Sequence, residues 1–410
     1  MAVWGLFGRL VDFFLLTDWV VMDQMSMSVL QPVIGTVTDA FVVMYGGVST
    51  PPFRAAISEY PWWQSYVQSS DPCSSQALTI PSYHNNTFLE SQYHLLLSAS
   101  ACTNLQCLRS LDPASLKAAA QQTYVDAYHS SSPPLYAFGD FFYGPSVDGD
   151  IIRDLPSNEW KQGHFTKVPL LVDHNGYEGY NYGNQSITTA SDAQADLQTL
   201  WPAATTSFFD RLYQLYPREA YNSTFWQRQT LFGDYIINCP TYYMASAMAD
   251  AGLPAYKLLF NAGTQLHGAT SPFLFNPNDS ESKFSPPSKE PTPNFIAPRP
   301  IATSFPKLAK LTNACPAAVN NSTLAAYMKD WFISFVTDLD PNARSFSPES
   351  EAKPFWPLYN PRLGTAVDGA REDHEFAIMD VNYTQVGVIP DFDVSDKCGF
   401  WFGRSFVVRN

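Results

Sequence analysis

The chain has 410 residues, 45% of them hydrophobic and 15% aromatic, with a formal net charge of −14. That length and apolar content suit one large α/β domain or two smaller ones. The charge argues against nucleic-acid binding and against docking on an anionic membrane, and it favours neutral or apolar small-molecule partners.

The first residues, "MAVWGLFGRLVDFFLLTDWVV", are apolar but interrupted by Arg9, Asp12 and Asp18. They lack the basic start, unbroken apolar run and cleavage site of a signal peptide, and they are too broken for a membrane span. Residues 1–45 show no clear period. "FRAAISEYPWW" (53–63) follows a Pro-Pro pair and predicts a short strand, Ala55 to Ser58. Residues 84–100 open with cap residues and set Leu89, Tyr93 and Leu96 on one helical face. Residues 112–124 predict a second helix with Pro113 in its first turn. A turn-rich connection, 141–156, leads into "VPLLVDHNGYEGYNYG" (168–183), an apolar strand followed by a turn in which Glu178 stands between Gly176 and Gly179.

Helices are expected at 199–217 and 229–252, then a strand in "PAYKLLFNAG" (254–263), which runs into "TQLHGATSPFLF". Residues 276–319 are rich in Pro and Ser, have no period and read as a long disordered loop. The clearest helix is 321–341: Ser322 or Thr323 can cap it, and Leu324, Met328, Trp331, Phe332, Phe335 and Leu339 share a face. The end of the chain reads as a Gly/Pro-bounded tail packed on a core. Strands alternate with helices, which predicts an α/β fold with helices on the faces of a sheet.

In such sheets the working residues sit in loops beyond the carboxyl ends of the strands. Glu178 and His267 occupy two such loops. A carboxylate can hold an imidazole in one tautomer while the ring takes a proton from a nucleophile. Taken singly, Glu178 also reads as a solvated turn acid and His267 as a loop histidine bonded to backbone. The other histidines, His84, His94, His129, His164, His174 and His374, show no zinc-binding spacing, and no phosphate-binding glycine motif occurs, so no metal or cofactor is expected. N-x-S/T acceptors at Asn85, Asn184, Asn222, Asn278, Asn320, Asn321 and Asn382 fit a secreted glycoprotein. Cys102 and Cys107 sit close enough for a short looped disulfide. Trp62, Trp63 and the tyrosines near Glu178 suggest either an apolar cleft or plain core.

Several stretches together resemble the type-B carboxylesterase/lipase family, with fungal members the most similar. They are "YGGVSTPPFRAAISEYPWW", "CTNLQCLRSLDPASL", "YGPSVDGDIIRDLPSNEWKQGHFTKVPLLVDHNGYEG", "GTQLHGATSPFLF", "MKDWFISFVTDLDPN" and "KPFWPLYN". The resemblance covers most of 46–410 and implies an α/β-hydrolase fold. It implies hydrolysis of a small-molecule carboxylic ester through an acyl-enzyme, with Glu178 as triad acid and His267 as general base, and a Cys102–Cys107 disulfide loop.

The family's nucleophile, a serine in a G-E-S-A-G elbow, has no counterpart. No G-x-S-x-G occurs anywhere in the chain, the nearest serines, Ser28 and Ser49, sit in no elbow pattern, and the glycine-rich oxyanion segment is also missing. The expectation is a C-terminal portion of the family domain, 46–410, preceded by an unrelated segment, 1–45. Residues 66–83 and 276–319, which carry Cys73 and Cys315, break the family pattern and are expected to be inserts. A chain of this kind is expected to fold poorly alone and not to hydrolyse esters at family-like rates. The alternative is a non-catalytic, cholinesterase-like binding module. A module under no catalytic demand has no reason to keep both Glu178 and His267, and the chain keeps both.

Overall fold

The computed structural model describes residues 42–51, 53–63, 87–129, 137, 139, 142, 143, 147–275, 321–346, 348–359, 376–383 and 385–408. The proposed inserts, Cys73, Cys315, Ser28, His84, His374, Asn85, Asn278 and Asn320 lie outside these residues.

Five strands form one sheet in the order β1 (Ala56–Glu59), β2 (Leu170–Asn175), β3 (Ala255–Phe260), β4 (Ala377–Val381) and β5 (Val386–Pro390). The first four run parallel, and β5 returns antiparallel to β4. Every residue of β1, β2 and β3 is buried. That is why these strands read as nearly unbroken apolar runs: parallel strands are covered on both faces. Side chains alternate between the faces, so Leu170 and Val172 join one core while Leu171 joins the other.

Helices α1 (Thr87–Ala99), α2 (Leu105–Ser110), α3 (Pro113–His129) and α4 (Pro156–Gln162) lie between β1 and β2. Cys102 and Cys107 are disulfide-bonded at the turn that joins α1 to α2. Asp112 caps α3, accepting the backbone N–H groups of Ala114 and Ser115 at 3.0 Å.

Helices α5 (Ala190–Leu200), α6 (Thr206–Leu215), α7 (Thr224–Gly233) and α8 (Cys239–Asp250) connect β2 to β3. The single helix expected at 199–217 is in fact two. Pro202 stands in the gap, and Thr205 opens α6 by accepting the N–H of Phe208. The helix expected at 229–252 starts earlier and contains one π-helical turn, Asp234–Asn238, just before Pro240. A second disulfide, Cys239–Cys398, ties the start of α8 to α11 (Asp396–Phe402) near the end of the chain.

The opposite face of the sheet is covered by α10 (Ser322–Asp338), which follows the short α9 (Ser271–Phe275). Leu324, Met328, Trp331, Phe332 and Phe335 are buried as the period predicted, while Leu339 is only partly buried. The cap is neither Ser322 nor Thr323 but Asn321, whose side chain accepts the N–H of Leu324 at 2.9 Å. The C-terminal segment adds the β4–β5 hairpin and two short helices, α11 and α12 (Ser405–Val408).

Candidate active site

Strands β2 and β3 pair through Asn175 and Phe260, and the pairing does not stop there. Gly176 N–H donates to Phe260 O at 3.2 Å, Tyr177 N–H donates to Gln265 O at 2.8 Å, and Tyr177 and Leu266 form one more parallel bridge. The two loops are therefore joined by backbone hydrogen bonds up to the positions just before Glu178 and His267. A further close approach fixes the first loop. A Cβ on Gly179 would stand 1.8 Å from the backbone oxygen of Gln229 in α7, and one on Gly176 would meet Asn261 Oδ1 at 2.7 Å. At Gly179 the helix backbone leaves no room for a side chain, while at Gly176 the near atoms are the side-chain ends of Asn261 and Gln265.

Glu178 and His267 meet. His267 Nδ1 lies 2.7 Å from Glu178 Oε2. Glu178 is 1% exposed. Its other oxygen, Oε1, accepts the backbone N–H of Asn175 at 2.5 Å and the side-chain amide of Asn175 at 2.9 Å. Three donors thus compensate the burial of one carboxylate. Because a carboxylate only accepts, Nδ1 carries the proton, and Nε2 presents its lone pair. Among the described residues none bonds to Nε2, and the imidazole side chain is 19% exposed.

Aromatic rings wall the imidazole. Tyr60, Tyr182 and Trp62 stand edge-on to it, with centroid distances of 4.5, 5.2 and 6.5 Å. Trp62 and Trp63, alike in sequence, part here. Trp62 faces His267 and Tyr182, whereas Trp63 stacks on Trp160 inside the core. Burial, with Glu178 close by, pushes the Tyr182 phenol well above its ordinary range. Two more carboxyl groups are buried here. Glu59 and Asp173 face each other in the β1–β2 register. Burial first, then the charge of Glu178, pushes Glu59 up to about 7 against the pull of its hydrogen bond with Thr270. Burial, Glu59 and Glu178 raise Asp173 as well. Ser49 is exposed, in the bend before β1.

A second histidine–carboxylate pair was not anticipated. His174 is fully buried, with Nε2 at 2.9 Å from Asp393 Oδ2 and Nδ1 at 3.0 Å from Asn175 O. Lys257, on the neighbouring strand, donates to Asp391 at 2.6 Å and to Asp393 at 2.7 Å, and Tyr359 donates to Asp391 at 2.7 Å. Burial alone would lower the Lys257 ammonium, but Asp391 and Asp393 more than offset it. The one local signal was a lysine inside an apolar strand. Its partners are 134 and 136 residues away.

The carboxylesterase family profile matches residues 67–378. The chain belongs to the carboxylesterase family. Among curated members, a secreted lipase of Arthroderma benhamiae is 26% identical over 256 residues, covering 57% of this chain and 41% of the lipase. Lipase 2 of Geotrichum candidum is 27% identical over 202 residues, covering 44% of this chain and 35% of the lipase. The chain thus spans well under half of these relatives. The crystal structure of Aspergillus niger EstA superposes with a TM-score of 0.63 at 19% identity, covering 92% of this chain and 63% of EstA. A PNB esterase superposes with a TM-score of 0.56 at 14% identity, covering 90% and 61%. These likenesses establish the α/β-hydrolase fold expected of a carboxylesterase-family chain.

Proposed function

We propose that this chain carries the acid–base half of a serine carboxylic ester hydrolase. His267 is the general base and Glu178 the group that orients it. The observation that carries the reading is the 2.7 Å contact between His267 Nδ1 and a buried Glu178 oxygen, with Nε2 left to a reactant. In the reaction, a serine hydroxyl adds to the ester carbonyl while Nε2 takes its proton. The tetrahedral intermediate collapses, and the proton passes from Nε2 to the departing alcohol. Water then gives a proton to Nε2 as its oxygen attacks the acyl-enzyme, and the acid leaves as serine recovers its hydrogen. Membership of the carboxylesterase family supports this chemistry. The elbow that supplies the serine has no counterpart in the sequence.

The same reading includes secretion. Two disulfides fit an oxidising compartment, and the Arthroderma benhamiae relative is a secreted lipase. Asn184, Asn222 and Asn382, with Asn85, are the proposed glycan acceptors.

The test compares ester turnover by this chain with turnover by the chain extended with a family N-terminal segment bearing the G-E-S-A-G turn. Turnover is expected in the extended form alone. There, His267→Ala and Glu178→Gln should each lower kcat by about 10⁴-fold or more, since one removes the base and the other leaves it in the wrong tautomer. Turnover that survives His267→Ala would overturn the reading.

A further inference from the structure

The carboxyl end of β1 meets the loop that carries His267 at three points. Thr270 Oγ1 donates to Glu59 Oε1 at 2.7 Å, and both residues are buried. Tyr60 OH and Ser271 Oγ share a hydrogen bond of 3.3 Å. The Tyr60 ring stands edge-on to the imidazole at 4.5 Å. Tyr60 achieves this with φ at 42°, in the left-handed region that is costly for any residue with a Cβ. Its backbone N–H remains bonded to Asp173 O at 2.8 Å, so the reversed turn is made without leaving the sheet.

The loop needs such support. Gln265 and Gly268, either side of Leu266 and His267, both have positive φ (59° and 85°), which turns the chain sharply around the imidazole. Thr270 and Ser271 are the residues where the loop passes into α9.

We propose that Glu59 and Tyr60 are positioning residues for His267: together they clamp the far end of its loop and hold the ring on Glu178. This rests on the reading of His267 as the base. Neither residue acts on substrate. Both act through the loop and the ring. The groups that face Glu59 are Asp173 beside it in register, Glu178, Tyr60 and Thr270.

The test uses nuclear magnetic resonance of histidine-labelled full chain, which needs no turnover. The proton on His267 Nδ1, bonded to Glu178, should give a downfield resonance in slow exchange with water. Glu59→Ala and Thr270→Val should each speed that exchange at least tenfold, while Glu59→Gln keeps it slow. The buried His174 signals serve as the folding control, and Thr270→Val carries the test if Glu59→Ala does not fold. Unchanged exchange in a folded Thr270→Val variant would overturn the clamp. Failure of the base reading shows separately: the extended chain keeps its turnover in His267→Ala, while the unsubstituted His267 still gives the resonance and Thr270→Val still speeds its exchange.

Discussion

Among the described residues two histidine–carboxylate pairs are closed below 3 Å, His174–Asp393 on β2 and His267–Glu178 in the loops beyond β3 and β2, and they do opposite things. His174 and His267 lie 2.9 and 2.7 Å from their carboxylates, so distance does not separate them. Access and the second nitrogen do. The His174 side chain is 0% exposed, and both its nitrogens face acceptors. It has nothing to offer a reactant, and it binds the sheet to the segment around Asp393. The His267 side chain is 19% exposed and, among the described residues, is held through Nδ1 alone. A base needs a fixed ring with one free lone pair, and a strut needs no free group at all.

The sharpest way to break this comparison is to remove the carboxylate of the buried pair. Asp393→Ala leaves buried His174 Nε2 without its carboxylate and Lys257 with Asp391 alone, and should cost about 3–5 kcal/mol in urea unfolding. Burial pushes the Asp393 carboxyl up, but Lys257 and His174 pull it further down, to a value below the ordinary carboxylate range. A depressed folded value stabilises fully above the ordinary value of about 4 and less as the pH falls through and below it. Wild-type stability should therefore fall more steeply than that of Asp393→Asn as the pH drops below about 4. Parallel slopes would remove Asp393 from the acid limb.

These two pairs also differ in how far the sequence disclosed them. Glu178 and His267 lie 89 residues apart, yet each sits in a local pattern: an apolar run, then a turn with glycines. The patterns place both at strand ends, and the strand register does the rest. His174 looked like any other residue of β2, and its partner lies 219 residues on, in a tail with no period. The Cys239–Cys398 bond, 159 residues apart, was hidden for the same reason. Boundaries failed where several residues could play one part. Asn321, Ser322 and Thr323 can all cap a helix, and only the fold selects Asn321.

Gly179→Ala tests the other pair without touching its chemistry. The new methyl would press on the Gln229 carbonyl, which belongs to helix backbone and cannot swing aside. Relief must come from the loop that holds Glu178. The expected cost is about 1–3 kcal/mol, in the range of other overpacked sites. In the extended enzyme, kcat should fall while KM stays nearly constant, because the loop orients the base and does not hold the ester. The same substitution should leave the His174 signals in place.

The smallest effect expected on stability comes from the residue whose loss matters most to the reaction. His267→Gln keeps a side-chain amide within reach of Glu178 and empties no core, since the ring is partly exposed. Its unfolding free energy should stay within about 1 kcal/mol of wild type, as for most substitutions outside the core. His174→Gln places an amide where two acceptors and a full shell of neighbours are fitted to an imidazole, and it should cost several times more. Measuring both variants in urea at pH 7 sets the two pairs on one scale. If His267→Gln proves the more damaging, His267 is a strut like His174, and the division between a working and a structural pair fails.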